Sequence, residues 1–253
     1  MVQNKTVIST QPAEQAVKLQ ALLQNSDNIL FYSMPLIETK ILKSNLDTEQ
    51  VLKTIRSFNR IVFTSKRGVS SFFKLAKSLN INGEDIAKLQ FAAIGAATAG
   101  EILKNGYEVH YINQGNTSKE FAAYLIDDVI KANEKILLPQ GNLAPDFLLN
   151  KLSEKANCTR INVYETIKIK NPDREILNLI EKNSYDLLIF TSPSAFENFL
   201  EITNYQADKK GLKILSIGQT TTNFIENKGF KVQITAKKSN IKGLADEIIE
   251  NLV

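Results

Sequence analysis

The chain has 253 residues, 43% of them apolar and 23% charged, with a formal net charge of +4. That is enough apolar material for one large core or two small ones. The positive charge is weak and interspersed, which excludes the clustered basic patch of a nucleic-acid binder, and no apolar run approaches the ~18 residues of a membrane span.

In chain order, Thr6-Val7-Ile8 reads as a first strand. The residues ahead of it have no apolar core of a signal peptide, so cytoplasmic residence is expected. Ile61-Val62-Phe63 is another strand, and Val69, Phe72, Phe73, Ala76 and Leu79 then mark one helical face. Phe91 to Ile94 reads as a strand and Ala96 to Asn105 as a helix, with Gly106 at the left-handed position just past its end. Val109 to Ile112 is the next strand, a helical pattern runs from Glu120 to Ala132, and Lys135 to Leu138 is a strand. Leu187 to Phe190 is a strand, and "TSPSAFENFL" opens a helix after it as "TSKRGVSSFF" does after Phe63. Such β-α-β alternation predicts parallel sheets covered by helices.

The chain repeats itself. "AAIGAATAGEILKNGYEV" at 92–109 returns as "LSIGQTTTNFIENKGFKV" at 215–232, with Gly95 and Gly218, and Gly106 and Gly229, both 123 residues apart. "LIET" at 36–39 matches "VYET" at 163–166 at an offset of 127, aligning Glu38 with Glu165 and Thr39 with Thr166. A duplicated α/β unit accounts for both. Nothing near the midpoint, Asp128 to Glu134, looks like a linker, so the repeat alone does not place the boundary.

Three kinds of turn follow the strands: Thr64-Ser65-Lys66-Arg67 with Thr191-Ser192-Pro193-Ser194, Gly95-Ala96-Ala97-Thr98 with Gly218-Gln219-Thr220-Thr221, and Pro139-Gln140-Gly141-Asn142. All are expected at carboxyl ends of strands and at helix starts, where open parallel sheets bind ligands. A helix N-terminus presents unpaired N–H groups and the positive end of a dipole, which attract carboxylates or phosphates. Glycine lets a ligand approach the backbone, and Ser or Thr adds a hydroxyl without bulk. The plainer reading of any one turn is that its Ser or Thr caps a helix. Neither G-x-G-x-x-G nor G-x-x-x-x-G-K-[ST] occurs, which argues against a dinucleotide or nucleoside triphosphate.

A single cysteine, Cys158, excludes an internal disulfide and any cysteine-based metal cluster, and a single histidine, His110, excludes two-histidine metal motifs. A Ser-His-Asp relay would have to pass through His110, late in the strand pattern Tyr107 to Ile112, where a strand-edge role is simpler. Neither a metal nor a histidine relay is expected.

In their order and spacing, "VFTSKRGV", "AAIGAATA", "LLPQGN", "VYET", "LIFTSPSAFENF" and "LSIGQTTT" resemble the uroporphyrinogen-III synthase family over almost the whole chain. The resemblance implies two doubly wound parallel-sheet α/β domains joined by a two-stranded connection, with the ligand cleft between them. Applied here it implies a discontinuous first domain, 1–37 plus 169–253, and an inserted second domain, 38–168, with "LIET" and "VYET" as the crossing strands. The implied activity is a hydro-lyase of tetrapyrrole biosynthesis. It closes hydroxymethylbilane, a linear tetrapyrrole with eight carboxylates, with inversion of the D ring and loss of water, and without metal or cofactor. A monomer is expected, and the upstream deaminase, which supplies the unstable substrate, is the protein partner the pathway suggests for transient contact.

The resemblance also implies roles. Tyr164 matches the family's candidate acid, placed to help the terminal hydroxyl leave as water; packing at a domain junction is its alternative. Thr64, Ser65, Thr98, Thr191, Ser192, Ser194, Thr220 and Thr221 match cleft-lining turns, with backbone N–H groups at Gly95, Ala96, Gln140, Gly141, Asn142, Gly218 and Gln219 as carboxylate receptors. Lys66 and Arg67 add charge there or remain solvated. Family members often carry Thr-Arg at the end of the first strand, where this chain has Thr10-Gln11. A non-catalytic two-lobed protein that clamps a small polyanion is the competing reading; a nucleotide-sugar transferase is a third, without an evident base.

Overall fold

The protein is described from a computed structural model that covers residues 4–26, 28–42, 45–113, 115, 117–203 and 211–252. Along the chain the elements are β1 (Lys5–Ser9), α1 (Ala13–Leu22), β2 (Ile29–Ser33), β3 (Ile37–Ile41) and α2 (Leu46–Lys53). Then come β4 (Arg60–Phe63), α3 (Lys66–Ser78), α4 (Gly83–Ala87), β5 (Gln90–Ile94), α5 (Gly95–Lys104), β6 (Tyr111–Asn113) and α6 (Ser118–Tyr124). These are followed by β7 (Lys135–Gly141), α7 (Phe147–Ser153), β8 (Asn157–Lys168), α8 (Arg174–Glu181), β9 (Leu187–Phe190) and α9 (Pro193–Thr203). The last are β10 (Ile214–Ser216), α10 (Gln219–Asn227), β11 (Ile234–Thr235) and α11 (Ile241–Leu252).

The chain divides into two compact units, one of Met1–Thr39 with Ile167–Val253 and one of Lys40–Thr166. The first contains a sheet ordered β11-β10-β9-β1-β2, and the other sheet is ordered β3-β8-β7-β4-β5-β6. Because β4 and β9 share one repeated motif and β5 and β10 the other, the two strand orders correspond strand for strand. β11, β10, β9, β1 and β2 correspond to β6, β5, β4, β7 and β8, with β3 as an additional edge strand. The corresponding ladders are parallel. β3 and β8 run in opposite directions, since Leu42 N–H donates to Val163 O and Ile169 N–H to Leu36 O. Both strands pass from one unit to the other, at Thr39–Lys40 and Thr166–Ile167. Asn198 of α9 donates its side-chain amide to Leu36 O and Ile169 O, holding both strands where they leave the first unit.

The central strands of each sheet are buried on both faces, as their near-continuous apolar runs dictate. In the second unit Ile61, Phe63, Phe91 and Leu137 face α3 and α5, through Phe72, Leu75 and Ile102. Val62, Ala92, Ile136 and Leu138 face α6 and α7, through Phe121, Leu148 and Leu152. In the first unit Ile8, Leu188, Phe190 and Ile214 pack on α8, α9 and α10, whereas Val7, Leu187, Ile189 and Leu215 pack on α1 and α11. On α3, Val69, Phe72 and Ala76 are buried while Phe73 and Leu79 are partly so.

Three local expectations change. β6 begins at Tyr111 rather than Val109, because Tyr107 stacks on Phe73 at 4.7 Å and Val109 packs on the same apolar layer ahead of the ladder. The helical pattern from Glu120 to Ala132 widens into a π-helical turn at Leu125–Val129 and stops at Ile130, where Arg60 Nη2 takes the carbonyl of Val129 at 3.2 Å. β7 continues through Pro139, Gln140 and Gly141, which are strand rather than turn, and its following helix starts only at Phe147. The β4–β7 ladder ends at Ile61–Leu137, so the missing N–H of Pro139 costs no bond on that side, while pairing with β8 goes on.

Gly106 and Gly229 have φ of +87° and +85°, the left-handed conformation that ends α5 and α10. Nothing lies within 4 Å of where a Gly106 side chain would begin. Gly106→Ala is therefore expected to cost backbone strain alone, about 1 kcal/mol. This would be read as a lower denaturant midpoint with an unchanged slope.

Candidate functional site

In each sheet the strand order reverses once, between β9 and β1 and between β4 and β7. The carboxyl edge beside such a reversal is where open α/β sheets hold ligands, and the predicted turns fall around these points. Thr64, Ser65 and Lys66 follow β4, and Gly95, Ala96 and Thr98 follow β5. Thr191, Ser192 and Ser194 follow β9, and Gly218, Gln219, Thr220 and Thr221 follow β10.

Their chemistry is not uniform. The Ser65 hydroxyl accepts Gly68 N–H at 3.0 Å and caps α3, and Ser192 accepts Ala195 N–H at 3.2 Å while pairing with the Ser194 hydroxyl. These oxygens therefore fill the capping role. By contrast, α5 and α10 start without a side-chain cap, so their first N–H groups stay open to a ligand. Ala96, Gln219 and Thr220 are exposed there. Thr98 and Thr221 are buried on the covered side of their helices, which removes them from the surface of the turn. The repeated glycines differ as well: Gly95 is left-handed at φ +70°, whereas Gly218 is extended.

The densest arrangement lies in the second unit, where β7 ends against β8. Gln140 pairs with Asn162 but Gly141 pairs with Tyr164, so β8 bulges at Val163. Such bulges re-aim side chains, and here the bulge lays the Tyr164 ring across Gly141. A side chain on Gly141 would begin 2.5 Å from Cε2 and Cζ of that ring and 2.8 Å from its hydroxyl. Gly68 at the start of α3 approaches Pro139 O, which brings the Ser65 turn beside this strand end.

Two residues fix the geometry. Arg160, mostly buried on β8, donates to Gly141 O at 2.9 Å, Ala144 O at 2.9 Å and Asp146 Oδ1 at 2.6 Å. Asn142 accepts Thr166 N–H at 2.8 Å on Oδ1 and donates Nδ2 to Thr166 O. Its amide thus acts as an extra strand residue rather than a free ligand group. Arg160 was not a sequence candidate; the signal was an arginine among the half-buried positions of a long strand.

Gln11 and Gln140 occupy corresponding positions at the ends of β1 and β7. Gln11 is fully buried with neither amide atom hydrogen-bonded, and Gln140 is buried with Oε1 unpaired. Gln140 is therefore not the exposed turn residue the sequence suggests. Sequence reading also passed over the loop after β11. Ser239 Oγ occupies the space where a Gly218 side chain would begin, placing a hydroxyl at the uncapped start of α10.

His110 Nδ1 accepts Phe91 N–H at 3.2 Å, a sheet-edge bond. Burial pushes the Cys158 thiol up, against a smaller downward pull from the Ser153 hydroxyl, leaving it protonated at neutral pH. Lys168 is raised, chiefly by its hydrogen bond to Glu201, and stays charged. Among the described residues no cluster of three or more His, Cys, Asp or Glu could hold a metal ion, and no helix is long and apolar enough to cross a membrane.

Set against known proteins, a family model described as uroporphyrinogen-III synthase HemD matches residues 17–246. A uroporphyrinogen-III synthase of Chlorobaculum parvum is 24% identical over 251 residues, covering 98% of this chain and 99% of its own. A porphyrin biosynthesis protein HemD of Ruminiclostridium josui is 24% identical over 217 residues, but the alignment spans 85% of this chain and only 42% of that protein. The crystal structure of a mutant uroporphyrinogen III synthase of Thermus thermophilus shares the fold, with a TM-score of 0.71 at 16% identity over 98% of both chains.

Proposed function

The chain belongs to the uroporphyrinogen-III synthase family, and on that premise we propose that it closes hydroxymethylbilane to uroporphyrinogen III, inverting the D ring and releasing one water. The observation that carries this is the family match over residues 17–246, which takes in every glycine and hydroxyl turn described above. The division into two compact units supports a two-lobed enzyme.

In this reading the uncapped starts of α5 and α10 receive substrate carboxylates through Ala96, Gln219 and their neighbouring N–H groups. Thr64, Thr191 and Thr220 add hydroxyls. Tyr164 donates its phenolic O–H to the departing terminal oxygen so that it leaves as water. Cytoplasmic residence, action as a monomer and transient contact with the upstream deaminase belong to the same proposal.

The test is the isomer formed. Left alone, hydroxymethylbilane closes without ring inversion to the type I isomer; with this protein the product is expected to be mainly type III. Chromatography showing only type I at high protein concentration would reject the activity and favour a binding protein for polyanions.

A further inference from the structure

The amino edge of the second unit's sheet, opposite the candidate site, carries a pocket of about 610 Å³. Arg60, the first residue of β4, lines it and is only 1% exposed. Its guanidinium is held on one side by Glu134 at 3.3 Å and by Val129 O, and its face lies 4.6 Å from the Tyr111 ring. Nη1 has no hydrogen-bond partner. A buried charged group with an unmet donor is costly, so its presence needs a reason.

The parallel-sheet frame does not require an arginine at this place. The corresponding position in the first unit is Leu187, buried in an apolar layer on the same frame of strands. The π-helical turn that delivers the Val129 carbonyl to Arg60 also lines the pocket, and such turns recur at functional sites. Around the rim, Arg56 and Lys88 share a single carboxylate, Asp85, at 2.6 and 3.7 Å. Lys131 completes the lining. Four cations therefore face two carboxylates, an excess of two positive charges.

We infer that this pocket binds a small dianion, a phosphate ester or a dicarboxylate, at a site separate from the tetrapyrrole turns. The exposed rim cations, backed by Arg60 Nη1, the one guanidinium nitrogen not already held by Glu134 or Val129 O, suit the charge of either group. The site stands whether or not the proposed activity does, because its readout is binding alone.

The test uses the whole chain, titrated calorimetrically with inorganic phosphate and with succinate against sodium chloride of equal ionic strength. Saturable binding of at least one dianion is expected, with a raised thermal midpoint. Lys131→Glu, an exposed change, should weaken it by about tenfold or more, and Arg60→Leu, which copies the first unit, should abolish it. Should Arg60→Leu fail to fold, Lys88→Glu takes its place with the same expectation as Lys131→Glu. Stronger binding of phosphate assigns a phosphate ester, and stronger binding of succinate a dicarboxylate. No saturable binding of either overturns the inference, as does binding that Lys131→Glu leaves unchanged, which would put the anion at the carboxylate turns.

Discussion

In a Tyr164→Phe variant, type III product is expected to form ~10- to 1000-fold more slowly, reaching the lower part of the ~10²- to 10⁴-fold contribution typical of a general acid because backbone N–H groups already stabilise charge. The substitution removes one oxygen and little volume. The ring would keep its place across Gly141 and at the margin of the apolar layer formed by Phe63, Phe91 and Leu137. Folding should therefore survive, and the unfolding midpoint should stay within a degree or two of the parent. Loss confined to kcat would fit a hydroxyl that acts on the departing oxygen, whereas a rise in KM alone would mean that it only binds substrate. An unchanged turnover number would return Tyr164 to packing.

Gly141→Ala should do at least as much harm by a different route. The new methyl group would stand 2.5 Å from two ring carbons of Tyr164, so the ring has to swing away or β7 has to part from β8. Neither is free to happen. Arg160 ties Gly141 O to the following loop, and Asn142 ties that loop to Thr166. Overpacking of this kind costs about 1–3 kcal/mol, which would appear as a lower denaturant midpoint. If Gly141 acts through the ring, Gly141→Ala and Tyr164→Phe will be strongly non-additive in rate, and the double variant will be little slower than the worse single one. Fully additive losses would show that Gly141 serves something other than Tyr164.

Much of the scaffold was legible because its signals are local. Leu187–Phe190 is a strand with the predicted bounds, since four apolar residues between polar ones and a Thr-Ser turn leave little choice. Gly106 was predicted left-handed and is so, and its repeat counterpart Gly229 takes the same conformation, because the end of a helix needs a residue that tolerates positive φ. Pro139-Gln140-Gly141 misled for the same reason: proline and glycine usually mark turns, and only the end of the β4 ladder and continued pairing with β8 keep them extended.

Periodicity and the repeated turns, then, determined by themselves that this is a duplicated α/β chain with polar carboxyl edges, since each depends on neighbours a few residues away. Contacts that depend on strand order were decided only in three dimensions. The repeats could not say that β1 and β7 are counterparts, or that Gln11 and Gln140 would end up buried at matching points. Nor could they join Arg160 to Gly141 across 19 residues, or Arg60 to Glu134 across 74. The physical reason is that a side chain's partners across a sheet are set by which strands lie beside it. A one-residue bulge, as at Val163, is enough to change which face it meets.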